Sequence, residues 1–188
     1  MNESSYQEAL DYLYSLTQSG IKLGLKNTAR LLQHFGDPQL KIRTIHIAGT
    51  NGKGSTAAIT ESILRASGYK VGLYTSPHLL DFRERIQTNR RMIEKQQTFD
   101  LITRIKSAVE KIKIPITFFE FGTVLAFLYF NEQNTDINII EVGLGGRLDA
   151  TNLCQAEISI ITSISRDHTQ YLGEDLKQIA FEKACIIK

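Results

Sequence analysis

One segment decides most of what this chain can become. Thr44–Ile45–His46–Ile47–Ala48 runs straight into Gly49–Thr50–Asn51–Gly52–Lys53–Gly54–Ser55, and Thr56 onward carries Ile59, Ile63 and Leu64 at helical spacing. A short β-branched run of this kind predicts a strand buried on both faces. In a glycine-rich turn between strand and helix, backbone N–H groups can point inward, and the helix N-terminus adds partial positive charge. The result is a cradle for phosphate, in which Lys53 meets the outer phosphates as a point charge. A plain strand-to-helix turn uses the same residue types, but the order strand, loop, lysine, helix favours phosphate. The spacing departs from the commonest phosphate-loop pattern, whose first glycine would fall at Ile47 and whose hydroxyl residue would fall at Gly54. Gly54 has no side-chain oxygen for Mg²⁺, so another group must supply one. Ser76, at the end of the neighbouring strand, is suited if the carboxyl ends of a parallel sheet converge.

The rest of the chain alternates in the same way. Tyr6, Ala9, Leu10, Leu13 and Leu16 predict a helix ended by Ser19–Gly20, and a second short helix carries Leu31, Leu32 and Phe35 up to Gly36–Asp37–Pro38. Val71–Gly72–Leu73–Tyr74–Thr75 predicts the next strand, followed by a polar, arginine-rich stretch over residues 76–91. A helix with Phe99, Ile102, Ile105, Val109 and Ile112 on one side follows, then a largely buried one over residues 120–132. Further strands are predicted at residues 137–140 and 158–164, with Asp167–His168 and a last helix after them. The expectation is one α/β domain with a parallel sheet, layered between helices in the manner of P-loop nucleotide-binding proteins.

Composition removes several alternatives. The 22 basic and 20 acidic residues leave a net charge of +2, with no basic stripe for nucleic acid or an anionic membrane. No apolar run is long enough to span a bilayer, the first residues do not read as a secretory signal, and Cys154 and Cys185 have no ligand-like spacing. These features predict a soluble cytoplasmic domain and leave its activity open.

The loop His46–Ile47–Ala48–Gly49–Thr50–Asn51–Gly52–Lys53–Gly54–Ser55 resembles that of folylpolyglutamate and dihydrofolate synthases, members of the Mur ligase superfamily. Matching segments follow in the same order: Thr75–Ser76–Pro77–His78–Leu79, Phe119–Glu120–Phe121–Gly122–Thr123, Thr162–Ser163–Ile164 with Asp167–His168, and Glu182–Lys183–Ala184. The most specific is Glu141–Val142–Gly143–Leu144–Gly145–Gly146–Arg147–Leu148–Asp149–Ala150–Thr151–Asn152.

The resemblance implies a three-layer domain of the Mur ligase central type over residues 1–188, with the family's second, Rossmann-like domain absent from this sequence. It implies a ligase that uses ATP and Mg²⁺ to add L-glutamate to dihydropteroate or a folate through an acyl phosphate, as a monomer, with this piece alone inactive. ATP would lie on Gly49, Thr50, Asn51, Gly52, Lys53, Gly54 and Ser55. Metal would be held by Ser76, Glu141 and His168, and at a second site by a carbamylated Lys183, with Lys53, His168 and Lys183 in catalytic roles. The pterin end would meet Thr117, Phe118, Phe119, Glu120, Leu148, Asp149 and Ala150. On residue type alone, Phe118 and Phe119 read as core, His168 as a core or helix-capping residue, and Arg83 and Arg85 as a solvated face. A non-catalytic nucleotide-binding module, a truncated paralogue of the family and a cell-wall ligase stand as alternatives; Ser76–Pro77–His78 and the segment from Phe119 to Thr123 favour folate over the last.

Overall fold

A computed structural model describes residues 3–20 and 22–188. The strands are β1 (Thr44–Ala48), β2 (Val71–Tyr74), β3 (Ile86–Thr88), β4 (Arg91–Met92), β5 (Ile137–Glu141) and β6 (Ile158–Ile161). They form one sheet in the order β4–β3–β2–β5–β1–β6. The four strands from β2 to β6 in that order are parallel, and β3 and β4 continue it antiparallel at one edge. The helices are α1 (Glu3–Ser15), α2 (Lys26–His34), α3 (Lys53–Ala66), α4 (Lys95–Ile112), α5 (Phe118–Glu132), α6 (Thr169–Leu172) and α7 (Leu176–Ala184).

The layers follow from side-chain alternation along the strands. Ile45, Ile47, Val71, Leu73, Ile137 and Ile139 face α3 and pack with its Ala57. Tyr74 and Ile140 turn to the other face, into a core with Leu13 of α1, Leu31 of α2, Ile102 of α4 and Phe121 of α5. Helix α5 is buried continuously from Glu120 to Phe130, as a helix apolar on all sides must be. A capping box starts it: Thr117 N donates to Glu120 Oε2 at 2.8 Å, and Glu120 N donates to Thr117 Oγ1 at 3.3 Å.

Two expectations need correction. The sheet is mixed rather than wholly parallel, because the arginine-rich stretch contains strands of three and two residues, anchored by the buried Ile86 and Ile93. The neighbour of β1 is β5, so Ser76 follows a strand one place further away, with Glu141 at the end of the strand between. Ile59 and Ile63 lie on the solvent side of α3, each 61% exposed, while Ala57 and Glu61 turn inward. The phosphate loop sets where this helix begins, and with it which residues face the sheet. No helix among the described residues is long and apolar enough to cross a membrane.

Candidate functional site

Parallel strands deliver their carboxyl ends to one rim. There β1 opens into the glycine-rich loop, β2 leads to Ser76, β5 ends on Glu141, and β6 runs on into residues 162–165. The last segment clamps the loop. Thr50 N donates to Ser163 O at 2.8 Å, Asn51 N to Ser163 Oγ at 3.1 Å, and Thr162 Oγ1 to Asn51 O at 2.7 Å. Thr50 Oγ1 donates to Ser165 O at 3.0 Å and accepts from Ser165 N at 3.1 Å. The contact is close because Gly49, at φ +151°, has no side chain: a methyl there would lie 1.9 Å from Thr162 Oγ1.

Two ammonium groups converge on the same loop carbonyl. Lys53 Nζ donates to Gly49 O at 3.0 Å and to Thr50 O at 3.2 Å, and Lys183 Nζ donates to Gly49 O at 3.1 Å. Lys183 is buried, and burial, followed by the charge of Lys53, holds its amine below the ordinary lysine range. Glu141 is also buried, and its carboxyl is pushed up by burial, against the opposing pull of the Ser76 N–H and Lys53. Ser76 N donates to Glu141 Oε2 at 3.1 Å. A methyl on Gly54 would stand 3.8 Å from the same oxygen, so Glu141 faces the position where a hydroxyl is missing from the loop.

Lys53, Ser76 and His168 open onto a cavity of about 530 Å³, within the range of small-molecule sites. His168 is half-exposed in the left-handed region (φ +49°) just before α6; its side chain caps no helix and enters no core cluster. The buried carboxylate of Glu141, the Ser76 hydroxyl and the open His168 ring are donors compatible with a hard cation, imidazole being the least usual of the three. Among the described residues no group of three or more His, Cys, Asp or Glu side chains could hold a metal, so the expected set depends on Ser76 and Lys183 as well.

Thr117, Phe118, Phe119, Glu120, Leu148, Asp149 and Ala150 line the same cavity. Phe119 packs so close to Gly143 that a Cβ there would come within 2.4 Å of its ring. Phe118 stacks on Tyr14 at 5.8 Å and 13° between planes. The Glu120 carboxylate is committed to structure, accepting from Thr28 Oγ1 at 3.0 Å as well as from Thr117 N. Asp149 is buried and held by Leu144 N at 2.8 Å and Thr151 N at 3.0 Å.

Arg85 is the residue that sequence reasoning placed wrongly. It is 8% exposed, lines the cavity, lies 5.0 Å above the Phe118 ring, and donates from Nε to His78 Nδ1 at 2.7 Å. Arg83, by contrast, is half-buried in an ion pair with Asp81. The available signal was the pair of apolar neighbours, Phe82 and Ile86, which bury the short turn that carries Arg85. The clamp from residues 162–165 was equally unforeseen.

The Mur ligase middle domain family matches residues 47–188. A dihydrofolate synthase/folylpolyglutamate synthase of Bacillus subtilis (strain 168) is 42% identical over 98% of this chain and 44% of its own length. E. coli FolC in complex with DHPP and ADP superposes with a TM-score of 0.89 at 40% identity, covering 95% of this chain and 43% of that one. An FPGS–AMPPCP–folate complex does so with a TM-score of 0.91 at 37% identity, covering 100% of this chain and 46% of that one. The chain therefore spans less than half the length of these relatives. With most of its residues matched by the one family, from β1 to the last residue, the chain belongs to the Mur ligases through their middle domain.

Proposed function

We propose that this domain is the nucleotide-holding part of a cytoplasmic, monomeric ligase that joins L-glutamate to the carboxylate of dihydropteroate or a folate. The observation that carries the reading is a single cavity with two unlike ends. One end has a phosphate loop with Lys53; the other has a wall of Phe119, Leu148 and Ala150 with the Asp149 carboxylate. Relatives 37–40% identical were solved with ADP and DHPP or with AMPPCP and folate, ligands of the two kinds that these ends suit.

A carboxylate oxygen of the acceptor attacks the γ-phosphorus of ATP, ADP leaves, and glutamate's amine displaces phosphate from the acyl phosphate. Bringing two anions together demands cationic charge and alignment more than a strong base. Lys53 supplies the fixed charge. Mg²⁺, when bound by Ser76, Glu141 and His168, screens the phosphates. Lys183 is a candidate for carbamylation: its buried amine is biased toward the neutral form whose lone pair adds to CO₂, and the carbamate so formed would serve a second Mg²⁺. In this reading the glutamate site is completed by a second, Rossmann-like domain outside these 188 residues.

The test is incorporation of labelled glutamate by the natural full-length protein, with dihydropteroate and tetrahydrofolate compared as acceptors. Ligation that requires ATP and disappears on chelation of Mg²⁺ is expected, while the 188 residues alone bind AMPPCP without ligating. Nucleotide binding without ligation by the full-length protein would instead establish a non-catalytic module.

A further inference from the structure

Behind the acceptor wall lies a buried histidine that the proposed chemistry does not use. His46, in the middle of β1, is fully buried on the sheet face away from α3, and its Nδ1 has no hydrogen-bond partner among the described residues. Its Nε2 is 2.9 Å from Thr151 Oγ1, and that hydroxyl donates in turn to Asp149 Oδ1. A threonine hydroxyl has one proton to give. Because Thr151 gives it to Asp149, His46 must present Nε2–H to Thr151, which leaves Nδ1 as a bare lone pair. The unpartnered Nδ1 agrees with this tautomer, since a buried N–H without an acceptor would cost more than an unused lone pair.

We infer that His46 and Thr151 are positioning residues that hold Asp149 as an oriented carboxylate, so that its negative charge meets the N–H groups of the acceptor's head. The inference rests on the proposed acceptor end of the cavity and extends it by two residues that do not line it. Donors aligned in one direction strengthen one another in a low-dielectric interior. They are needed because burial alone drives this carboxyl toward its neutral form, against which the Thr151 hydroxyl and the backbone N–H groups of Leu144, Thr151 and Gly143 act. A protonated Asp149 would present a donor to a donor.

The neighbouring titratable groups do not blur a pH experiment. Burial pushes Tyr74 of β2 up to about 12 and Cys154 up to about 12, and pushes His46 down to about 3. None of these changes charge between about pH 5 and 9. Lys188 stands behind Cys154, with its Nζ on Asn152 O at 3.0 Å. Across the cavity are Lys22, Arg85 and Glu120, with Lys53 and His168 at the phosphate end. All of these remain in the variants below, so a difference from the parent reports on Asp149.

The experiment uses the natural full-length protein and measures KM for dihydropteroate and kcat from pH 5 to 9 in the parent, Thr151→Val, Thr151→Ser, His46→Leu and Asp149→Ala. Removing a hydrogen bond to a buried carboxylate raises its pKa, so acceptor affinity is lost at higher pH as pH falls. For Thr151→Val the acidic limb of 1/KM is expected to move upward by about one unit, with KM raised about tenfold at pH values on that limb. kcat and the KM for ATP stay within about twofold, Thr151→Ser restores the parent limb, and His46→Leu shifts it the same way by less. If Thr151→Val does not fold, His46→Leu reads the same limb. A folded Thr151→Val, or in its place His46→Leu, whose limb coincides with the parent's would overturn the relay. An unchanged KM in Asp149→Ala would instead remove the acceptor end itself, and the relay with it.

Discussion

Replacing Lys53 with methionine in the natural full-length protein is expected to lower kcat/KM for ligation by about 10³-fold, the scale of losing a fixed charge at a phosphoryl group. Three effects act together. The γ-phosphate loses its point charge. Glu141 loses the ammonium that opposes the upward push of burial on its carboxyl, so it is less readily ionised. The carbonyls of Gly49 and Thr50 lose a donor, and Lys183 alone remains on Gly49 O. The fold should persist, because no core cluster includes Lys53. Steady-state kinetics beside a thermal melt checks this; a loss under tenfold in a folded protein would remove Lys53 from the site.

Gly49→Ala is expected to abolish nucleotide binding and to destabilise the domain by roughly 1–3 kcal/mol. Two independent costs meet at that position. The backbone at φ +151° is one that L side chains rarely adopt, and the added methyl would fall 1.9 Å from Thr162 Oγ1. Relief requires residues 162–165 to move away from the loop. That breaks the bonds from Thr50 and Asn51 and shifts the segment leading to His168. Calorimetric titration with AMPPCP and urea unfolding measure the two consequences separately. Wild-type affinity in this variant would show that the clamp does not shape the loop.

Both results turn on how the rim is assembled, and the sequence revealed that assembly unevenly. β1 and β5 were legible because each is a short apolar run buried on both faces, and α5 because eleven successive residues are buried. β3 and β4 were not, because strands of three and two residues are too short for a period to show, and arginines dominate their surroundings. The spacing of Ile59, Ile63 and Leu64 marked α3 as a helix, but spacing does not say which way a stripe points, and Ile59 and Ile63 face solvent.

At the site, residues within one loop could be read locally, as with Lys53 and the glycines. Contacts between loops depend on strand order. The 3.1 Å bond from Ser76 N to Glu141 exists because β5 separates β1 from β2, and the clamp exists because β6 is the other neighbour of β1. Arg85 was missed for a related reason: charge predicts exposure, and only tertiary packing around Phe82 and Ile86 reverses it. The pairing of His46 with Asp149 through Thr151 spans two segments that no periodicity connects.

The central claim is that the two ends of the cavity bring an acceptor carboxylate to the γ-phosphate of ATP. The most direct measurement labels both carboxylate oxygens of dihydropteroate with ¹⁸O and follows the label during ligation by the natural full-length protein. One labelled oxygen per turnover is expected in inorganic phosphate and the other in the new amide. Label in AMP, or phosphate without label, would contradict the account.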